Sequence, residues 1–273
     1  MLLTHAIILL LTGGGVGFFV GLLSVGGFVM TPVQLWVYGD MEVPADIAIR
    51  MAFGANLFVL LPTVVSSALG HHRKGAVWWK AAAVLGICGF FGAYGGATSA
   101  AYLPSSILKV VFGVILLGGG IRMLVSRSAG TSGDPRDSIW LWVAWGLPIG
   151  IISGLIGIGG GVLMVPVMIL ALRFRIHEAV GTAAAVMITT CIGGLIGYIV
   201  NGWGVEEVPS PNLGYIYIWA WLALTIPAAI MAQIGARTAH RIPSRQLRWL
   251  ILALMFYISL RMIGLFAWLN LPI

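Results

Sequence analysis

Six glycines break hydrophobic runs that otherwise read as membrane helices: Gly26 and Gly27 early in the chain, and Gly157, Gly159, Gly160 and Gly161 later. A glycine lets a helix unwind without side-chain clash and lets other groups approach its backbone. An unwound turn exposes N–H groups, and the half-helix that follows adds a partial positive charge at its N-terminus. That combination suits a tetrahedral oxyanion. Irregular backbone at membrane depth is tolerated only where it is buried in protein or lines a cavity. These six glycines are therefore expected to form a substrate-binding break in each half. Pro32 and Pro166 follow the breaks and suit a helix start. Gly13-x3-Gly17-x3-Gly21 and Gly146-x3-Gly150-x3-Gly154 lie upstream at small-x3-small spacing and read as helix packing.

Side chains narrow the chemistry further. Gln34, Asn56 and Thr182 lie inside apolar runs and are expected as hydrogen-bond donors to a substrate. Arg50 and Arg261 also reach apolar segments, and each is a candidate for the anion's site or path. Arg122 suits snorkelling to the interface. The eight acidic residues, Asp40, Glu42, Asp46, Asp134, Asp137, Glu178, Glu206 and Glu207, lie in loops or at segment ends. Cation carriers and carboxylate proton relays ordinarily need such a group within a span, so metal and amine substrates are disfavoured. Cys88 and Cys191 lie in apolar runs and read as packing residues, not as a disulfide or a metal pair. His71-His72 lacks further ligands. Ser153 sits in a Gly-Ile-Ile-Ser-Gly run, but its counterpart in the other half is Val20, and no central histidine accompanies it. No enzymatic constellation and no cofactor are implied.

These residues need a membrane scaffold, and the composition provides one. The chain is 60% hydrophobic and 8% charged with mean hydropathy +1.03, which marks an all-α polytopic membrane protein. Ten hydrophobic segments are expected near 4–24, 28–38, 47–69, 77–101, 105–125, 139–156, 160–172, 177–200, 213–239 and 244–270. The second and seventh are too short to span. The N-terminal run, without a basic lead or cleavage site, is expected to be a retained segment. Trp78, Trp79, Trp140, Trp142, Trp203, Trp219 and Trp268 lie near segment ends and read as interfacial anchors. The net charge of +7 sits in short loops and at helix ends, where it sets topology, and is no nucleic-acid signal.

The polar stretch 126–138 is a linker between a first repeat, 1–125, and a second, 139–273. The two glycine-broken motifs match, and so do two further stretches. Gly54 to Gly75 aligns with Gly181 to Gly202, with Thr63 and Thr190 in register. Arg50 and His177 precede these stretches at the same spacing. Gly96, Pro104, Leu108, Arg122 and Met123 align with Gly235, Pro243, Leu247, Arg261 and Met262 at an offset of 139. Loop charge alternates between equivalent loops. His71–Lys74, the linker and His240–Arg245 are expected in the cytoplasm, with Asp40–Asp46, Glu206–Pro211 and both termini outside. An inverted repeat of five plus five segments follows, its breaks meeting near the midplane.

The run GLIGIGGGVLMVP, the loop GHHRKGAVWWK, the stretch LGYIYIWAWLALTIPAAIMAQIGARTAHRIPSRQL and the two-half organisation together resemble the TauE/SafE sulfite-exporter family, the TSUP transporters. The resemblance covers essentially the whole chain. It implies a bacterial inner-membrane permease for a small sulfur-containing or related organic anion, such as sulfite or sulfoacetate, working by alternating access. The expected partners are that anion and the lipid bilayer, without nucleic acid; a homodimer stays open. The first half departs from the pattern: Ser24-Val25-Gly26-Gly27-Phe28 is one glycine shorter, and Gly54-Ala55-Asn56 stands opposite Gly181-Thr182. A permease for another solute or a metal ion, or a membrane assembly subunit without transport, are the alternatives.

Overall fold

The computed structural model describes residues 3–23, 27–125, 136–238 and 244–265. The first half contains α1 (Leu3–Leu23), α2 (Gly27–Asp40), α3 (Ala45–Arg73), α4 (Trp79–Tyr102) and α5 (Ser105–Val125). The second contains α6 (Ile139–Ile156), α7 (Gly161–Leu170), α8 (Ile176–Asn201), α9 (Ile218–Thr238) and α10 (Ser244–Ile263). Among the described residues, α3, α4, α5, α6 and α8 are long and apolar enough to cross a membrane. The protein is an all-α polytopic membrane protein. Helices α2 and α7, of 14 and 10 residues, are short, as the sequence indicates; at about 1.5 Å per residue α7 reaches only halfway across a bilayer.

Three boundaries and anchors differ from expectation. The ninth segment opens with a ribbon, not a helix. Strand β1 (Asn212–Leu213) pairs antiparallel with β2 (Ile216–Tyr217), Asn212 opposite Tyr217, and the helix starts only at Ile218. A left-handed Gly214 turns this ribbon against the Ile199 backbone, where a Cβ would not fit. Helix α3 runs on through His71, His72 and Arg73, which sit in its last turn and favour its negative end. Trp142 is fully buried, not interfacial: its ring meets Trp78, which also packs on Phe174. Trp79, Trp140, Trp203 and Trp219 are exposed, as anchors would be. Trp268, most of the linker (126–135) and 239–243 lie outside the described residues.

Helices α3 and α8 are the most buried of the five long spans and lie against each other at the centre. Around them α6 lies on α4, α1 on α9 and α5 on α10. The first two contacts use equivalent residues. A Cβ on Gly13 would strike the Leu224 backbone and one on Gly17 the Ala228 backbone. Likewise Gly146 abuts the Leu85 carbonyl, and a Cβ on Gly150 would lie 2.5 Å from the Gly89 carbonyl oxygen. Leu224 and Ala228 follow Leu85 and Gly89 by the same offset of 139 that aligns the later stretches. The x3-spaced glycines therefore buy backbone contact between helices of different halves. Thr63 and Thr190, aligned by sequence, each donate to the carbonyl one turn back, Val59 and Val186.

Because these seams have no room for a methyl group, Gly150→Ala and Gly17→Ala should each lower stability by about 1–3 kcal/mol. Gly95→Ala, where nothing lies within 4 Å of the new Cβ, should not destabilise. Thermal melts of the purified variants in one detergent check this. Equal shifts for Gly150→Ala and Gly95→Ala would refute the packing role.

Candidate functional site

The second break is a four-residue turn between α6 and α7. Gly157 closes α6 at φ 63°, Gly159 follows at 74°, and Gly160 caps α7 at 83°. Side chains with a Cβ rarely adopt this left-handed region. Each glycine also faces a neighbour. Gly157 sits on the Phe53 backbone of α3, within 2.6 Å of an added Cβ. Gly161 abuts Met187 of α8. Gly159 lies between Leu60 of α3 and Met187 of α8, each 3.4 Å from where its Cβ would be, with the Cys191 sulfur at 3.1 Å. Leu60 and Met187 align in sequence, and the break is gripped between α3 and α8.

Its polar groups are largely engaged. The Tyr198 hydroxyl of α8 donates to the Gly154 carbonyl at 2.9 Å, at the open C-terminal end of α6. The Gly160 carbonyl accepts the N–H groups of Leu163 at 3.0 Å and Met164 at 2.8 Å. Helix geometry leaves the N–H groups of Gly161 and Val162 without intrahelical acceptors. A cavity of about 10 Å³, water-sized by volume, opens beside the turn between Ser153 and Ile156 of α6, Gly160, and Ile115 of α5. Ser153 is 1% exposed, and its Oγ makes no hydrogen bond.

The first break resolves only in part. Gly27 opens α2, and Gly26 lies outside the described residues. Gln34 and Asn56 are brought together, but into a closed chain of bonds. Tyr38 donates to Gln34 at 3.2 Å, Gln34 to Asn56 at 2.8 Å, and Asn56 to Thr31 at 2.8 Å. Thr31, Gln34, Asn56 and Tyr38 are all fully buried. Phe53, Asn56 and Leu60 recur at helical spacing along α3. Helix α3 thus carries this chain beside the residues that grip the second break.

The remaining candidates serve helix ends. Thr182 Oγ1 accepts the N–H of Trp78, the cap of α4, at 3.0 Å. Arg50 donates to the carbonyls of Ala100 and Leu103, at 3.1 and 3.2 Å, across the C-terminal end of the same helix. A guanidinium there complements the helix dipole. Arg261 is exposed in the last turn of α10. The structure gathers Gly157, Gly159, Gly160 and Gly161 into one turn and Gln34 and Asn56 into another cluster, while Arg50 and Thr182 bond the two ends of α4.

Comparison with known proteins agrees with the architecture. The family model "Sulfite exporter TauE/SafE" matches residues 9–262. A probable membrane transporter protein of Methanocaldococcus jannaschii is 29% identical over 91% of this chain and 93% of its own length. One from Haemophilus influenzae is 29% identical over 90% and 93%, and one from Bacillus subtilis 25% identical over 85% and 89%. No solved structure matches. With ten helices on the expected segments, a glycine break at its heart and a family match over nearly its full length, the chain is a membrane transporter that belongs to the TauE/SafE sulfite exporter family.

Proposed function

We propose that the protein is a secondary transporter in the bacterial inner membrane that moves a small anion, a sulfur-containing oxyanion or organosulfonate such as sulfite or sulfoacetate, by alternating access. The observation that carries this reading is the α6–α7 turn. Three left-handed glycines set the positive end of a half-helix in a turn held between α3 and α8, with a small cavity beside it. The acidic residues support it. Asp40 ends α2, Asp46 and Glu178 lie in first helical turns, and Glu206 and Glu207 lie in the connection before the ribbon. None of the described acidic residues lies in the turn itself.

The reciprocal glycine seams and the position of Gly159 between equivalent residues support two halves related by inverted topology. In such an arrangement, rocking one half against the other exposes the turn to each side alternately. The interior-negative potential drives an anion outward by about 2.3 kcal/mol per charge per 100 mV. Export therefore needs no coupled ion.

Purified protein in proteoliposomes should carry radiolabelled sulfite or sulfoacetate, with efflux accelerated by an interior-negative potential. Liposomes that pass divalent cations or amines, but none of a panel of sulfite, sulfonates and carboxylates, would overturn the reading. The topology has its own check. Single cysteines at Lys74 and at Glu206, in a Cys88→Ala/Cys191→Ala background, should label from opposite sides of the membrane. Labelling of both from one side removes the inverted repeat.

A further inference from the structure

The turn between α6 and α7 brings together two helix ends of opposite sign. Helix α6 ends at Ile156 and α7 begins at Gly161, so the negative end of one directly precedes the positive end of the other. The last carbonyls of a helix have no intrahelical partner. At membrane depth they are not screened as they would be in bulk water. An anion at this turn is attracted by α7 and repelled by α6. For the turn to favour an anion, the α6 end has to be offset.

Tyr198 of α8 stands at that end. Its hydroxyl is shared between the carbonyls of Gly154, at 2.9 Å, and Leu155, at 3.2 Å, in the last turn of α6. The side chain is fully buried and closely held. A Cβ on Gly54 of α3 would lie 3.2 Å from the Tyr198 Cβ, so α3 crosses at the base of the ring. The ring meets that of Tyr215 edge-on, with centroids 6.5 Å apart, and the Tyr198 carbonyl accepts the Tyr215 N–H at 3.3 Å. The first half repeats the crossing. His71 is the aligned residue, and a Cβ on Gly181 of α8 would lie 3.0 Å from the His71 Cβ. Each half thus sets a ring that can donate a hydrogen bond where α3 and α8 cross.

We infer that Tyr198 is a positioning residue that sets charge preference: its hydroxyl masks the negative end of α6, so that the α6–α7 turn favours an anion. This rests on the reading of that turn as the anion's site and adds the residue that fixes its sign. Tyr198 acts through the α6 carbonyls and not by touching the ligand. Without the hydroxyl, two carbonyls at the α6 end are bare, and the repulsion grows with the negative charge of the ligand.

Two measurements on the full chain test the inference. Tyr198→Phe keeps the ring and removes one oxygen atom. In proteoliposomes, with the labelled anion that the wild type carries, its apparent KM should rise about 5- to 30-fold. Doubly charged sulfoacetate should lose more potency as a competitor than singly charged methanesulfonate. Tyr94→Phe, which removes a hydroxyl from an exposed residue of α4, should behave as wild type. An unchanged KM would overturn the inference. So would equal losses for the two competitors, because loosened packing alone does not sort ligands by charge. Separately, a cysteine is placed in the turn as Ile158→Cys, in the Cys88→Ala/Cys191→Ala background. Its thiol should prefer a sulfonate-bearing methanethiosulfonate to a trimethylammonium-bearing one, and adding Tyr198→Phe should reduce that preference about tenfold. An unreactive thiol, or a preference that Tyr198→Phe leaves unchanged, would also overturn the inference. Should the wild type carry no anion at all, the transport reading falls, and the reagent preference decides the role of Tyr198 by itself.

Discussion

Everything at the centre of this protein depends on one constraint: a backbone that leaves its helix inside the membrane must have its polar groups accommodated by protein. The turn between Ile156 and Gly161 meets it by being held from two sides. Tyr198 covers a carbonyl at the end of α6, and the Gly160 carbonyl takes two N–H groups of the next helix. Phe53 and Leu60 of α3, with Met187 and Cys191 of α8, close over the glycines. A small apolar cavity lies beside the turn, next to the N-terminus of α7.

That grip requires α3 and α8 to be fixed, and the glycine seams fix them. Helix α4 lies on both α6 and α8, and its Gly86 and Gly92 admit neighbours from each. A Cβ at Gly86 would press on the Thr189 hydroxyl at 2.8 Å, and one at Gly92 on the Leu147 carbonyl at 2.5 Å. Two kinds of glycine therefore coexist. Those in helical conformation bring backbones together, and those at positive φ turn the chain. The first kind sets the frame in which the second can be tolerated.

Most of the frame was legible in the sequence. The ten segments, the two short helices and the division of glycines between packing and breaking all follow from hydropathy and spacing. The ends of elements were less legible. Residues 213–217 are apolar enough to read as helix, and only the left-handed Gly214 makes them a ribbon. Trp142 looked like an anchor because position along a span does not reveal which face is covered. The site was legible as backbone and much less so as side chains. Thr182 and Arg50 are polar groups in apolar runs, and hydropathy alone does not reveal that they also bond the two ends of α4.

The halves are in fact unequal in polarity. Thr31 and Gln34 tie α2 to Asn56 of α3 through two buried hydrogen bonds, and Tyr38 braces Gln34 within α2. At the aligned positions the second half has Val165, Met168, Leu172 and Ala183, all apolar. Buried side-chain bonds between helices contribute roughly 0.6 kcal/mol each in membranes and are directional, whereas apolar contacts slide. Helix α2 is thus pinned in register on α3, while the described side chains of α7 meet α8 through apolar contacts. The half-helix with the looser hold is the one whose N-terminus borders the cavity and Ser153. Displacing α7 therefore breaks fewer directed side-chain bonds than displacing α2.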